Sequence, residues 1–504
     1  MNLPDRIRLT PFLRIVVPMI AGILLAPAVG LPTWAIAACL TACYALAWLL
    51  RGDAPAGWCY LTASILLTGL LLAQIHSPQP AMPRATPLLI TAEITETPYA
   101  SGRWLRTTAE TGYYRGARDS ARHWRPARER LVLCVDTSYH IALGDQIAFT
   151  AYLNAVDRTG SGYGRLMQAR GYTAAAFVTA GHLAATTPNA GWTPLSAARH
   201  LQQAAVKRLE RLHLTADRMA VATAMSTGEK RALSPSLKAA YSATGTSHVL
   251  AVSGLHTGIV FLLVNGLLWL LPLARRGHLA KNILAVAALW AFAMMSGLSP
   301  SVIRAALMCS ALQIALAVTA RNSSYNILFG AAVVMLAIHP GYLRDLSFQL
   351  SFLAVLSILF CYKRLYRIVR TRYKALNYVA GLFLMGLAAQ IGTLPIIMHT
   401  FGNLPVVSLL VNPPVVLCAS AVVLLSVVWI LIPIPWLNPV FSTLLGWTVE
   451  AQNSLVEWAA GLPMATVRDV ELSTPATLAI YGALLVAALL VKLRERTEPF
   501  TLPK

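Results

Sequence analysis

The sequence predicts an all-α polytopic membrane protein of about 10–12 helices, some of them broken or re-entrant, with a small all-β extracytoplasmic domain inserted. Three observations carry this. The 504 residues are 57% hydrophobic and only 12% charged, too apolar for an ordinary soluble domain. Several apolar runs approach or exceed the roughly 20 residues that a helix needs to cross a bilayer. One long polar, arginine-rich segment interrupts those runs and has the texture of short strands.

Residues 1–79 form the first apolar group, with segments at Phe12–Leu31, Trp34–Leu50 and Trp58–Ile75. The basic head of the first segment has no convincing small-residue cleavage site, which reads as a retained helix and not a removed signal. Arg6, Arg8 and Arg14 mark its start and Arg51 follows the second segment. The positive-inside rule places those ends in the cytoplasm, so the third helix delivers the chain to the outside.

Residues 80–190 change character. The runs "PLLITAEITET", "RWLRTTAET", "RLVLCVDT", "DQIAFTAYL" and "GYTAAAFVT" mix β-branched or aromatic residues with polar ones, and Gly, Asp and Ser clusters divide them. Five short strands suggest an OB-like barrel. Residues 191–247 turn helical. "AARHLQQAAVKRLERLHL" has apolar residues at helical spacing with basic residues between, an amphipathic connector for a membrane surface or a helix bundle.

Residues 248–504 form the second membrane region. Its segments are Val249–Leu273, Ile283–Met295, Val302–Val318, Ile327–Ile338, Phe348–Cys361, Val379–Met398, Val406–Ile432 and Leu478–Val491. Basic and neutral loops alternate along them, as a serpentine chain requires. The prolines of "VNPPVV" break the seventh segment, which leaves both a spanning helix and a re-entrant hairpin open.

The net charge of +21 is either topological, from lysines and arginines gathered in cytoplasmic loops, or a sign of an anionic substrate. The cysteines, at 39, 43, 59, 134, 309, 361 and 418, form no CxxC pair, so neither a zinc site nor a disulfide framework is expected.

Ionisable groups in a bilayer core cost roughly 2.5–3.5 kcal/mol each, so they mark a cavity or pathway, or else pair within the bundle. His248, His256, Arg304, Asp345 and His399 are the ionisable candidates, and Ser253, Asn265, Gln313, Gln349, Gln390 and Asn412 are among the polar ones. Three chemistries are open to "HVLAVSGLHTG". A metal site is disfavoured, because His248 and His256 on a straight helix stand about 12 Å apart along the axis. An intramembrane hydrolase would use Ser253 and His256, three apart on one helix face, with Asp345 as orienter, although no GxSxG elbow surrounds the serine. A conduit would use Gly254 and Gly258 for close helix approach or an unwound turn. The N–H groups of that turn, with Arg304, would then face an anion.

"TSHVLAVSGLHTGIV" closely resembles the signature of the ComEC family, inner-membrane DNA-uptake channels of naturally transformable bacteria. "STGEK" and "SGLSPSVIRAALM" resemble further family segments in order, as do "LRDLSFQLSFLAV" and "GTLPIIMHTFGNLPVVSLLVNPPVV". These match at Ser296, Gly297, Pro300, Arg304, Asp345, Phe348, Gln349, Leu350, Ser351, Pro395, Phe401, Gly402, Asn403 and Asn412. "GSGYGRLMQARGYTAAAFV" is similar to the end of the family's OB-like module.

The resemblance implies a channel that passes single-stranded DNA into the cytoplasm during transformation. His248, Ser253, Gly254, His256, Arg304, Asp345, Gln349 and Asn412 would line or shape the pathway, with no catalytic residue, metal or cofactor. The β-module would receive the strand through Arg115, Arg118, Arg122 and Arg125, interleaved with Tyr113, Tyr114 and Trp124, unless that stretch is only a solvated basic loop. Many ComEC proteins carry a metallo-β-lactamase-like domain. No HxHxDH motif is present here, so nuclease activity is expected from a separate protein. No GxxxxGK[ST] loop is present, which assigns the pulling to a cytoplasmic ATPase or to single-strand-binding proteins. A DNA receptor would act outside, with membrane lipid around the helices. Two other functions remain open: the hydrolase, and transport of another anionic polymer such as an envelope glycan.

Overall fold

A computed structural model describes residues 10–51, 54–76, 82–96, 98–117, 123–156, 167, 171–188, 194–269, 277–317, 323–467, 469–470 and 472–497. The chain divides into two compact units, one of Met1–Val206 with Val260–Gln349, the other of Lys207–Ile259 with Leu350–Lys504.

The first unit begins with α1 (Pro11–Leu25), α2 (Thr33–Leu49) and α3 (Ala54–Ile75). Pro11 opens α1 where its missing N–H costs nothing. Val16, Met19 and Ile23 recur at helical spacing and are buried. Between them Gly22 lies so close to α3 that a methyl there would overlap the Leu66 carbonyl, and a methyl on Gly69 would overlap the carbonyl of Met19. Two reciprocal glycines thus let the backbones touch, the device by which helices associate in lipid without a hydrophobic drive.

The polar segment folds as a curled sheet. Its strands are β1 (Leu88–Ile94), β2 (Tyr99–Ser101), β3 (Trp104–Gly116), β4 (Arg125–Pro126), β5 (Arg130–Asp136), β6 (Gln146–Ala151), β7 (Leu153–Ala155), β8 (Tyr172–Val178) and β9 (Leu183–Thr187). The main path runs β7-β8-β5-β3-β1-β6-β9, with β2 and β4 on β3. β5 and β8 are parallel, and the other pairs are antiparallel. Only Tyr152 separates β6 from β7, yet the two pair near opposite ends of the path, so the sheet curls back toward itself. Alternate residues fill one interior: Leu88, Ile90 and Ile94 from β1, Leu131, Leu133 and Val135 from β5, Ile147 and Phe149 from β6. All five expected strands are present, and the sheet has further short ones.

Glu129 ties this sheet to the chain arriving from α3. Its buried carboxylate accepts the Met82 N–H at 2.7 Å, the Thr173 hydroxyl at 2.6 Å and an Arg84 N–H at 3.0 Å. A buried charge that is paired and hydrogen-bonded in this way is tolerated.

The later helices are α4 (Pro194–Glu210), α5 (Ala216–Thr227), α6 (Pro235–Ala243), α7 (Gly254–Trp269), α8 (Gly277–Met295), α9 (Pro300–Ala317), α10 (Ser324–Ile338), α11 (Leu346–Val369), α12 (Lys374–Phe401), α13 (Ser408–Leu431), α14 (Asn438–Ala460) and α15 (Thr474–Thr497). A two-residue strand β10 (Leu404–Pro405) pairs with β11 (Thr466–Val467). Six described helices are long and apolar enough to cross a membrane, and five further apolar helices are shorter. The protein is a multi-pass membrane protein.

In the first unit the Asn326 side chain of α10 accepts the Phe12 N–H at 3.2 Å, and Gly330 makes room for the Phe12 ring. In the same unit Gln313 of α9 donates to Asn265 of α7 at 3.1 Å and to Asn282 of α8 at 2.8 Å. These amides hydrogen-bond between helices and hold them together.

In the second unit α5 is buried on every side from Ala220 to Thr227. Its Thr223, Ser226 and Thr227 hydroxyls return to the helix's own carbonyls. Trp429 of α13 is buried, and its Nε1–H donates to the Arg208 carbonyl at 2.9 Å.

Three expectations are corrected. The seventh segment is neither broken nor re-entrant, because α13 runs unbroken through Pro413 and Pro414. The two prolines remove N–H groups that would have bonded the carbonyls of Leu409 and Leu410, but the helix continues on either side. The fifth segment does not end at Cys361, since α11 carries on to Val369. The helix α14 was not expected at all. Glu450, Gln452, Asn453 and Glu457 lower its hydropathy, but Gln452 and Asn453 are buried. Asn453 accepts the Tyr241 hydroxyl at 2.9 Å, and Gln452 donates to the same oxygen at 2.8 Å. Burial, opposed by the Gln452 bond, pushes the Tyr241 phenol well above its ordinary range.

Candidate nucleic-acid interface and polar groups of the membrane region

On the sheet, pairing with β4 places the candidate residues. Tyr113 stands opposite Pro126 and Tyr114 opposite Arg125. Strand alternation sends neighbours to opposite faces. Tyr113 is 54% exposed, whereas Tyr114 is 9% exposed and packs with the interior. Tyr114 is therefore a core residue, not an open stacking platform. Next to it the Arg115 guanidinium lies 5.2 Å from the centre of the Trp124 ring, and Trp124 is 41% exposed. Pro83, Thr86, Tyr114, Arg115, His123 and Arg125 are among the residues that line a small pocket of about 110 Å³ here. Arg118 and Arg122 lie outside the described residues.

A second cation–aromatic group, not singled out in the sequence, starts the same strand. The Arg103 guanidinium lies 4.7 Å from the Trp104 ring, and Trp104 meets Phe177 edge-on at 5.5 Å. Phe177 is half exposed and follows three alanines in β8. The dipeptide "RW" and the lone aromatic of "TAAAFV" were the available signals. Nearby, N–H and hydroxyl donors of Ser138 hold the Asp136 carboxyl below its ordinary range, with help from Arg103. Burial pushes the Cys134 thiol up.

The membrane-region candidates divide between the units. His248, Ser253, Gly254, His256 and Asn412 belong to the second, and Arg304, Asp345 and Gln349 to the first. His248 lies in the turn before α7, with Nδ1 3.2 Å from the Gly245 carbonyl. Gly245 holds φ +71°, and a methyl there would stand 2.7 Å from Cγ of Pro405 and 2.9 Å from Cβ of Ser408.

α7 starts at Gly254 and not at Val249, so Ser253 precedes the helix and shares no helix face with His256. The straight-helix spacing of His248 and His256 fails for the same reason. His256 is buried, and its Nδ1 accepts the backbone N–H of Ser253 at 3.4 Å. The Thr257 hydroxyl returns to the Ser253 carbonyl at 3.1 Å. His256 and Thr257 therefore tie down the entry to α7. Among the described residues, nothing stands within 4 Å of where a methyl on Gly258 would lie.

Asn412 has a buried Oδ1 with no partner among the described residues. The Leu409 and Leu410 carbonyls, freed by the prolines, belong to the same turns of α13. Asp345 caps α11, its Oδ1 accepting the N–H groups of Ser347 at 2.8 Å and Phe348 at 3.3 Å. Gln349 donates to the Leu343 carbonyl at 2.8 Å and fastens the preceding turn. Arg304 is buried in α9, with Nη1 3.6 Å from the Met308 sulfur. Gln390 donates to Ser408 Oγ at 2.8 Å, and His399 Nδ1 lies 2.7 Å from the Leu472 carbonyl. Among the described residues no His, Cys, Asp and Glu cluster could hold a metal.

The family model described as "Competence protein" matches residues 225–494, more than half of the chain. The chain belongs to the competence protein family. The match to the competence family runs from the end of α5 into α15 and holds all the membrane-region candidates; the sheet domain precedes it. ComE operon protein 3 of Bacillus subtilis (strain 168) is 30% identical over 199 residues, 40% of this chain and 24% of that protein. An uncharacterized protein of Aquifex aeolicus (strain VF5) is 32% identical over 195 residues, 38% of this chain and 43% of that one. The chain thus spans less than half of each of these relatives. No solved structure matches it significantly.

Proposed function

We propose that this competence-family protein conducts single-stranded DNA across the bacterial inner membrane into the cytoplasm during natural transformation. The observation that carries the reading is the family match across the helical region. The sheet domain supports it. Its five main strands, β1, β3, β5, β6 and β8, follow an antiparallel path with one parallel pair, an order suited to an OB-like module. That module would face the periplasm and receive the strand, its bases stacking on Tyr113 and Trp124 and its phosphates meeting Arg115 and Arg125. Arg304 and the unpaired acceptor of Asn412 would act along the pathway. A separate nuclease would supply the single strand, and a cytoplasmic ATPase or strand-binding proteins would draw it in.

The hydrolase reading gains nothing from the geometry, since Ser253 meets His256 through its backbone N–H.

The test is deletion of the gene, followed by labelled duplex DNA added to competent cells and recovery of cytoplasmic single strands. Entry should stop while periplasmic accumulation continues. Complementation with Arg115→Ala/Trp124→Ala should restore less than a tenth of wild-type entry. Stacking is worth about 1–3 kcal/mol per base, or about 5- to 150-fold in binding. Undiminished entry in the deletion strain would overturn the assignment.

A further inference from the structure

The turn between α11 and α12 concentrates charge in a way that the conduit does not use. From Leu346 to Val449 the chain has no Asp or Glu, yet Lys363, Arg364, Arg367, Arg370, Arg372 and Lys374 gather at this one hairpin. Two of these cations are already engaged. Arg364 bonds the Phe360 carbonyl and lies 4.0 Å from that ring's centre. Arg372 bonds the Tyr373 hydroxyl at 2.7 Å.

Arg370 and Lys374 are exposed, and neither side chain bonds an acceptor among the described residues. Both line one open cavity of about 450 Å³, with Tyr366, Asn377 and Tyr378. The cavity is built and not incidental. Asn377 laces its rim, accepting the Thr371 N–H and donating to the Thr371 carbonyl, each at 2.7 Å. Gly381 admits the Tyr362 hydroxyl at what would be 3.1 Å from a methyl, and Tyr362 stacks on Tyr366 at 5.8 Å. No side chain caps the N-terminus of α12, so its first-turn N–H groups add positive potential where Lys374 begins the helix.

The depth of the cavity identifies the occupant. α11 has 24 residues, about 36 Å of helix against a hydrocarbon core of about 30 Å. Its basic last turns, and the cavity beside them, fall at headgroup level. Tyr366 and Tyr378 have the amphipathic rings that favour that level.

We propose that this cavity binds the phosphate headgroup of an anionic membrane lipid, with Arg370 and Lys374 as the phosphate ligands and Tyr366 and Tyr378 as its walls. A basic pocket between two membrane helices matches a phosphodiester fixed at the bilayer surface. The site needs no DNA and does not depend on the function proposed above.

The test uses the full chain purified in neutral detergent. Phosphatidylglycerol or cardiolipin is titrated against phosphatidylcholine, with bound lipid counted by native mass spectrometry and thermal stability followed in parallel. Wild type should retain the anionic lipids and be stabilised by them. Arg370→Gln/Lys374→Gln should bind them about 30-fold more weakly, the effect of two cations near an anionic surface. Lys363→Gln should leave binding unchanged, and circular dichroism should show all variants folded. Equal retention by the double variant would overturn the proposal. So would displacement of the lipid by a single-stranded oligonucleotide whose binding requires the same two cations, which would assign the cavity to nucleic acid.

Discussion

Gly245→Ala tests the packing that holds the His248 turn. Gly245 has φ +71°, where an L side chain is strained, at a cost of about 1–2 kcal/mol. Its new methyl would also stand 2.7 Å and 2.9 Å from Cγ and Cβ of Pro405 and 2.9 Å from Cβ of Ser408. None of these atoms is the end of a flexible chain: Pro405 is held in the β10–β11 pair and Ser408 starts α13. Such overpacking costs about 1–3 kcal/mol. The sum is about 2–5 kcal/mol. The assay is denaturant unfolding in detergent micelles, followed by tryptophan fluorescence. The midpoint should fall, and Pro405→Ala in the Gly245→Ala background should recover roughly 1 kcal/mol, because it removes the nearest atom but leaves two contacts and the backbone strain. A Gly245→Ala variant within about 0.5 kcal/mol of wild type would refute the reasoning, as would a double variant that recovers nothing.

Gln313→Leu should lower stability by about 0.6–2 kcal/mol, because it leaves the Asn265 and Asn282 acceptors without their shared donor; the same unfolding assay measures it, and an Asn282→Leu/Gln313→Leu pair should cost less than the two single changes summed. Asp136 is held below the ordinary carboxylate pKa by the Ser138 donors. A depressed folded-state pKa adds stability that is complete above the unfolded value near 4 and lost as pH falls through the folded value. Asp136→Asn should therefore be less stable than wild type at neutral pH, with the difference closing below about pH 4; a difference constant down to pH 2 contradicts the bond to Ser138.

Much of the architecture was legible in residue order. Hydropathy reports transfer into lipid, a property of each segment by itself, so the apolar helices could be found without knowing their neighbours. The strands of the sheet showed for a similar reason, because β-branched and aromatic residues between Gly, Asp and Ser clusters are a property of each run by itself. The family motifs around His248, Arg304, Asp345 and Asn412 were equally local.

What stayed hidden depended on partners distant in sequence. Helix α14 looked too polar to belong, until Tyr241, 212 positions before Asn453, supplied the hydrogen bond that lets its amides be buried. Tyr113 and Tyr114 are indistinguishable as residues, and only the register against Arg125 and Pro126 turns one outward and the other into the core. Ser253 and His256 lie three apart on paper, but a helix that starts one residue after Ser253 replaces a helical face with a backbone contact. Residue order determined the solvent each segment prefers, because transfer free energy is additive along a chain. The tertiary structure decided which polar groups are satisfied and which face outward, because hydrogen bonds and close contacts are made by pairs, and the pairs exist only once the chain has folded.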